Sequence, residues 1–200
     1  MALAAPTLFL LQFFRDPERR SDAAPDTLVS PADGTVLSIE SAAEAPSGAS
    51  RRISIFMSVF NVHVNRAPVS GLLADYRYSP GKKLAAFSEK ASLENEQNLI
   101  TMTSKAGVRV AFKQIAGALA RRIIFYPKPG DPLERGQRIG IILFGSRVDF
   151  FVPDGAEVLV VRGQKTRAGL TPLVRLFVAN ADARLSNANT DAGPSDSTVR

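Results

Sequence analysis

Residues 138–152 read RIGIILFGSRVDFFV, two runs rich in Ile, Val and Phe that are separated by Gly145 and Ser146. β-Branched and aromatic residues favour strands, and a glycine between two such runs favours a turn. We therefore predict strands over residues 138–144 and 148–152, with Gly145 and Ser146 in the turn between them. Taken alone, a Gly-Ser pair is typical of an ordinary turn.

The same pattern continues towards both ends of the chain. Short apolar runs punctuated by Gly and Pro predict further strands over residues 27–29, 35–39, 53–59, 72–78, 99–103, 108–115, 122–126 and 157–162. Helices are expected only at the apolar N-terminus and over residues 82–91. The sequence thus predicts a mostly β (α+β) fold in a single domain.

A weak internal repetition favours a sandwich of short strands. Turns that contain Pro and Gly recur at residues 31–34, 68–71 and 153–155, and residues 129–136 are similar to residues 162–169. This turn spacing is similar to that of lipoyl- and biotinyl-type β-sandwich domains. The lysine that those carriers modify is absent, so we expect the likeness to concern architecture and not activity.

The two ends of the chain differ from this β-rich part. Residues 2–14 read ALAAPTLFLLQFF, and the charged run RDPERR follows at residues 15–20. The apolar run is too short to cross a bilayer, which takes about 20 residues, so we expect a helix that lies in a membrane interface, a core helix being the alternative. We expect Arg15, Arg19 and Arg20 to face anionic headgroups. The predicted organisation is a membrane-associated segment 1–20, a β-rich domain 21–179 and a disordered tail 180–200.

Composition excludes several kinds of chemistry. The 200 residues include one His, His63, and no Cys, so a thiol nucleophile, a disulfide or a multi-histidine metal site is excluded, and we predict no metal. His63 is the only side chain whose ordinary pKa suits proton transfer near neutral pH. The net charge of +6 favours an anionic partner. We expect an acidic membrane surface and not nucleic acid, because no aromatic residues alternate with Lys and Arg.

Four segments carry a family resemblance: VSPADGTV at 29–36, FMSVFNVHVNRAPVSG at 56–71, EKASLENEQN at 89–98 and FGSRVD at 144–149. In this order and at these separations the chain resembles the short form of phosphatidylserine decarboxylase proenzymes, from residue 13 to residue 153. The resemblance implies that residues 21–179 are a catalytic domain that cleaves itself between Gly145 and Ser146. Chains 1–145 and 146–200 would stay associated, and Ser146 would become a pyruvoyl group, the cofactor.

The resemblance also implies an activity and a location. A pyruvoyl enzyme of this kind converts phosphatidylserine to phosphatidylethanolamine and CO2 through a Schiff base, as a peripheral protein on the cytoplasmic side of the cell membrane. Two alternatives stay open: a decarboxylase of another serine-headgroup lipid, such as an archaetidylserine-like ether lipid, and a noncatalytic β-sandwich binding module. A homo-oligomer is a further possibility that the sequence leaves open.

The resemblance assigns roles to three residues. Ser146 is the nucleophile that attacks the Gly145 carbonyl, and His63 and Asp33 are the candidates for its base and for the acceptor that orients that base. Longer family members carry two histidines three residues apart, and here Arg66 stands at the second position. His63 therefore either serves both self-cleavage and decarboxylation or leaves one task to Arg66, Asp33 or water. Phe144 and Arg147 also replace the flanks of the Leu-Gly-Ser-Thr motif of the longer forms.

Overall fold

The described part of the chain folds mainly into three antiparallel sheets. The computed structural model describes residues 4–42, 45–46, 48–82, 84–86, 91–118, 122–143 and 145–177. In these ranges lie two helices and fourteen strands: α1 (Ala4–Phe13), β1 (Thr27–Val29), β2 (Gly34–Ser41), β3 (Ala49–Met57), β4 (Val64–Arg66), β5 (Gly71–Ser79), α2 (Ala91–Glu94), β6 (Gln97–Ser104), β7 (Arg109–Ala116), β8 (Ile123–Phe125), β9 (Pro132–Leu133), β10 (Arg138–Ile142), β11 (Ser146–Pro153), β12 (Glu157–Val158), β13 (Lys165–Thr166) and β14 (Pro172–Arg175).

The largest sheet places β11 near its centre. Its strand order is β13-β2-β3-β11-β7-β6-β5-β9, and the two smaller sheets have the orders β1-β14-β12 and β4-β10-β8. Side chains of a strand alternate between the two faces of a sheet, so Val148, Phe150 and Val152 of β11 share one face. All three are fully buried in the main hydrophobic core. The core therefore lies directly against the strand that begins at Ser146.

The predicted internal repetition corresponds to a pair of matched turns. Gly136 ends one of the two similar segments and donates its N–H to Ala67 O at 2.9 Å, whereas Gly169 ends the other and donates to Ser30 O at 2.7 Å. Both glycines have left-handed φ angles, +82° and +76°. A Cβ at Gly169 would lie 3.2 Å from the Cα of Gly136, so the two turns pack directly against each other.

The mostly β architecture and the N-terminal helix are confirmed. All ten predicted strands are present, β1 with the predicted ends and the other nine with shifted ends, and four short strands were missed: β4, β9, β13 and β14. Each of these has two to four residues, too few for an alternating pattern to be recognised. The predicted strands 138–144 and 148–152 are also not partners, because β10 and β11 belong to different sheets.

The helix predicted over residues 82–91 is wrong where the structure describes it. Residues 84 and 85 are not helical, and the only helix nearby is α2. The side chain of Asn95 accepts from Leu84 N at 2.8 Å and donates to Leu84 O at 2.8 Å. A helix over residues 82–91 would have used the Leu84 carbonyl, so a side chain from outside the segment overrides the local preference. Residues 83 and 87–90, and the predicted tail 180–200, lie outside the described residues.

Helix α1 presents apolar side chains to the outside. Leu8 and Leu11 are 66% and 68% exposed, and Phe13 is the one residue of α1 that is buried. Within the described ranges, no helix has the length and apolar character needed to cross a membrane.

Candidate active site

Gly145 and Ser146 lie where the chain crosses from one sheet to another. Gly145 has a φ of +67°, a left-handed conformation that residues with a side chain rarely adopt. Ser146 is the first residue of β11, directly opposite Met57 of β3 and Ala116 of β7. The strands on both sides bury Ser146 completely. The predicted turn is therefore present, and it is a strained entry into the central strand and not a hairpin.

The hydroxyl of Ser146 has a weak hydrogen-bond partner. Ser146 Oγ donates to Met57 Sδ at 3.2 Å, and thioether sulfur is a poor acceptor. Beside the sulfur is a row of buried amides. Asn98 Nδ2 donates to Gln114 Oε1, Gln114 Nε2 donates to Asn65 Oδ1 at 2.8 Å, and Asn65 Nδ2 lies 3.8 Å from Met57 Sδ. Sequence reasoning missed this row, although Asn65 and Asn98 belong to two of the quoted segments.

His63 brings an unprotonated nitrogen to the same peptide segment. Its Nδ1 lies 3.0 Å from Asn61 O, and because a carbonyl oxygen only accepts, Nδ1 carries the proton. Nε2 is then the acceptor, and Gly145 N donates to it at 3.3 Å. Burial lowers the pKa of His63 to about 4, an effect that its hydrogen bond to Asn61 and the charge of Asp33 only partly oppose. His63 is therefore neutral at pH 7.

Helix α1 covers this imidazole. The ring of Phe13 lies against the ring of His63, with centroids 4.3 Å apart and an angle of 32° between the planes. Arg15, just past the helix, donates to Phe60 O at 2.8 Å, and its positive charge contributes to the lowered pKa of His63. The N-terminal segment is thus a direct part of the environment of His63.

Asp33 does not orient His63 in this structure. Its carboxylate accepts from both terminal nitrogens of Arg19, at 2.5 and 3.0 Å, and from Ala168 N at 2.7 Å. The acceptor that orients His63 is Asn61 O. The structure therefore brings His63 and Ser146 to one peptide segment and holds Asp33 in a separate cluster of contacts.

One expectation about the arginines needs correction. The side chain of Arg19 is only 8% exposed and pairs with Asp33, so it does not face headgroups as expected. Arg66, one of the alternatives for the second catalytic task, donates to Gly136 O, Pro17 O and Asp16. Through Asp16, Pro17 and Arg19, these contacts hold the RDPERR run against the β-rich domain.

The carbonyl oxygen of Gly145 also has a partner that the sequence did not indicate. Gly117 N donates to Gly145 O at 3.2 Å. Gly117 follows β7, and no local motif distinguishes it from other glycines. The contact became visible only when β7 and β11 were seen as neighbours in the sheet.

Two pockets adjoin the site, and Phe56 and Ser58 line both of them. An apolar pocket of about 270 Å³ adjoins the turn and is lined by Phe56, Ser58, Val59, Ala85, Ala86, Gly117, Ala118 and Gly145. A more polar pocket of about 450 Å³ is lined by Asp33, Gly34, Thr35, Phe56, Ser58, Phe60, Asn61, Lys165, Thr166 and Arg167. One side of the site is therefore apolar, and the other carries two cationic side chains.

Comparison with known proteins places this architecture in a family. A family described as phosphatidylserine decarboxylase matches residues 7–173. A phosphatidylserine decarboxylase proenzyme of Trichlorobacter lovleyi is 55% identical over 183 residues, which cover 88% of this chain and 84% of that protein. Proenzymes of the same name from Magnetococcus marinus and Ralstonia pickettii are 51% and 48% identical, over 82% and 85% of this chain and 76% and 80% of their own lengths.

These matches define a class of enzyme, the decarboxylases, which are lyases. They confirm the resemblance predicted from the four sequence segments and set aside the noncatalytic binding module. The chain belongs to the phosphatidylserine decarboxylase family.

Proposed function

We propose that the protein converts phosphatidylserine to phosphatidylethanolamine and CO2 with a pyruvoyl group that it makes by cleaving itself between Gly145 and Ser146. The observation that carries this proposal is the left-handed Gly145 directly before a buried Ser146, with Nε2 of a neutral His63 3.3 Å from Gly145 N. The relatives named above are proenzymes of phosphatidylserine decarboxylase, which supports the substrate and the processing of a precursor.

Self-cleavage begins with an acyl shift. Ser146 Oγ attacks the carbonyl carbon of Gly145, the bond from that carbon to Ser146 N breaks, and the hydroxyl proton passes to the nitrogen. The amide thereby becomes an ester. Loss of the Cα proton of residue 146 then breaks the Cβ–O bond, which leaves Gly145 as a free carboxylate. Water finally replaces the nitrogen of the resulting dehydroalanine, ammonia leaves, and a pyruvoyl group remains.

The residues around the bond suit this chemistry. Met57 Sδ is a weak acceptor, so the Ser146 hydroxyl loses little when it turns to the carbonyl carbon. His63 Nε2 is unprotonated at pH 7, as a general base requires, and its lone pair accepts from Gly145 N beside the bond that is cleaved. Asp33 serves indirectly: its bond to Arg19 holds the N-terminal segment, and with it Phe13, against His63.

The position of residue 146 also fits a pyruvoyl group. The group supplies a ketone that condenses with the headgroup amine, the Schiff-base chemistry expected from the sequence, and accepts the electrons released with CO2. After cleavage, β11 would still pair with β3 along its length and with β7 from Ser146 to Phe151. This pairing fixes the new chain end beside the apolar pocket, where a pyruvoyl group has room.

The same pairing supports lasting association of chains 1–145 and 146–200. Besides β11, the strands β13 and β14 of the second chain pair with β2 and β1 of the first. Separation would therefore disrupt two sheets and expose the core around Phe150. We expect the two chains to remain together without a covalent link.

The outer face of α1 supports peripheral attachment to the cell membrane on its cytoplasmic side. Leu8, Leu11, Phe14 and Phe60 are each about half exposed or more, and Arg15 joins the helix to Phe60 through the carbonyl of that residue. Arg20, in the charged run after α1, is also exposed and is suited to anionic headgroups. Such a surface would keep the enzyme at its lipid substrate.

The decisive experiment is an intact-mass measurement of the purified protein under denaturing conditions. We expect two fragments, one that ends at Gly145 and one that begins with a pyruvoyl-blocked residue 146. Their masses should sum to that of the precursor plus one water minus one ammonia. The Ser146→Ala variant should stay whole and inactive. Two fragments with a free Ser146 amine, or a whole wild-type chain that decarboxylates phosphatidylserine, would refute the proposal. Activity on ether-linked but not ester-linked lipid would favour the alternative substrate.

A further inference from the structure

The carbonyl that Ser146 attacks already has a hydrogen-bond donor. Gly145 O accepts from Gly117 N at 3.2 Å, and the contact lies just past the end of β7 and just before the start of β11, next to the apolar pocket. When a nucleophile adds to a carbonyl, negative charge develops on its oxygen. A backbone N–H aimed at that oxygen in a site shielded from water stabilises the charge without reorganising. Gly117 N is therefore placed where the acyl shift needs a donor.

The space around this contact requires a glycine. A Cβ at Gly117 would lie 2.5 Å from Gly145 O and 3.0 Å from Ala86 Cβ. The first distance is below the limit for real Cβ contacts, and its partner is a backbone atom that cannot move aside cheaply. Only a residue without a side chain lets this N–H approach the carbonyl so closely.

Asn95 fixes the direction of the donor. The Ala116 carbonyl and the Gly117 N–H belong to one planar peptide group and point in opposite directions. Asn95 Nδ2 donates to Ala116 O at 2.6 Å, and Ala116 N donates to Glu96 O at 2.9 Å. Asn95 itself is buried and is held by both backbone groups of Leu84. With the oxygen end of the peptide clamped, its N–H end is held towards Gly145 O.

We propose that the Gly117 N–H stabilises the oxyanion of the acyl shift and that Asn95 is the positioning residue that aims it. This inference rests on the proposed self-cleavage. Through Asn95 it gives the EKASLENEQN segment a role in maturation. Loss of one oxyanion donor typically slows a reaction by about 100- to 1000-fold.

The test follows the rate of precursor cleavage by intact mass after cell-free synthesis. Gly117→Ala should slow cleavage by about 100-fold or more because its methyl group displaces the carbonyl. Gly71→Ala is the matched control: its Cβ would lie 2.1 Å from Thr103 O, an equally crowded site in another part of the same sheet. We expect Gly71→Ala to lose stability but, once folded, to cleave at close to the wild-type rate.

A backbone variant isolates the donor. Replacement of the Gly117 N–H by an ester oxygen removes the hydrogen bond and adds no atom that could clash, so it decides the matter if Gly117→Ala fails to fold. We expect cleavage to slow by about 100-fold or more, and Asn95→Ala to slow it in a folded protein that keeps its circular dichroism spectrum. Wild-type cleavage rates in the ester variant would overturn the inference and leave the proposed function intact. A wild-type chain that never cleaves would overturn the proposed function instead.

Treatment with hydroxylamine distinguishes a slower acyl shift from a general loss of structure. It cuts the ester formed by the acyl shift and leaves a hydroxamate on Gly145. Hydroxylamine also cuts the engineered backbone ester between Ala116 and Gly117, so only the fragment that ends in a Gly145 hydroxamate, identified by its mass, is counted. If the donor acts on that shift, the ester variant at Gly117 should yield less Gly145 hydroxamate per unit time than the wild type. Formation of the Gly145 hydroxamate at the wild-type rate would mean that the shift proceeds without the donor, which contradicts the inference.

Discussion

The buried, neutral state of His63 makes the stability of the precursor depend on pH in a calculable way. The test compares two uncleaved proteins, Ser146→Ala and the double variant Ser146→Ala/His63→Gln. Glutamine is polar but does not titrate, so the difference between the two free energies of unfolding isolates the proton of His63. All other titratable groups are present in both proteins, so their contributions to this difference cancel.

The sign and the size follow from the pKa of His63. That pKa is about 4 in the folded protein and about 6.5 in the unfolded chain, so the unfolded state binds more protons between these values. The folded state is therefore penalised as the pH falls from 6.5 towards 4, and unaffected above 6.5. Relative to pH 8, the loss amounts to about 2 kcal/mol at pH 5 and about 3 kcal/mol at pH 4.

Urea unfolding at several pH values measures this loss, and NMR measures the pKa directly. The chain contains one His, so a single imidazole signal reports the titration without any assignment. We expect that signal to shift only below about pH 5, and the two variants to converge or cross as the pH falls. A signal that titrates near 6.5, with a constant stability difference from pH 8 to pH 4, would refute the argument that burial keeps His63 neutral.

Four further substitutions test the site and the N-terminal segment. Phe13→Ala removes the ring that covers His63; we expect it to cost about 3–5 kcal/mol and to raise the pKa of His63 towards 6.5, and an unchanged NMR titration would contradict this. Asp33→Asn leaves the buried guanidinium of Arg19 without its ion pair and should cost about 3 kcal/mol or more in urea unfolding. Arg19→Met should slow self-cleavage as much as Asp33→Asn does, whereas a defect confined to Asp33→Asn would mean that the carboxylate acts directly. Leu11→Ser should weaken binding to anionic vesicles by roughly tenfold in a sedimentation assay. The control is Leu72→Ser on β5, where the leucine is also exposed; equal losses would argue against α1 as the membrane surface.

Much of the secondary structure follows from local pattern. The strands around Gly145 and Ser146 were predictable because β-branched and aromatic residues are concentrated there in two runs separated by a glycine. The helix predicted at residues 82–91 is wrong where the structure describes it, because Asn95 binds the Leu84 carbonyl from outside that segment. A buried side chain from outside the segment thus overrides the local preference.

The candidate site likewise combines features that the sequence predicted with contacts that only the structure showed. The sequence alone determined which chemistry is excluded, because one His and no Cys rule out a thiol nucleophile and a multi-histidine metal site. Its segments around Asp33, His63 and Ser146 resemble those of a family, and that resemblance implied a self-made pyruvoyl group. Only the tertiary structure decided which groups meet. Asp33 pairs with Arg19 and not with His63, Asn61 O sets the tautomer of the imidazole, and Gly117 reaches the Gly145 carbonyl. Periodicity reports which face of a strand is buried, whereas these contacts depend on the order of strands in the sheet, which no local pattern encodes.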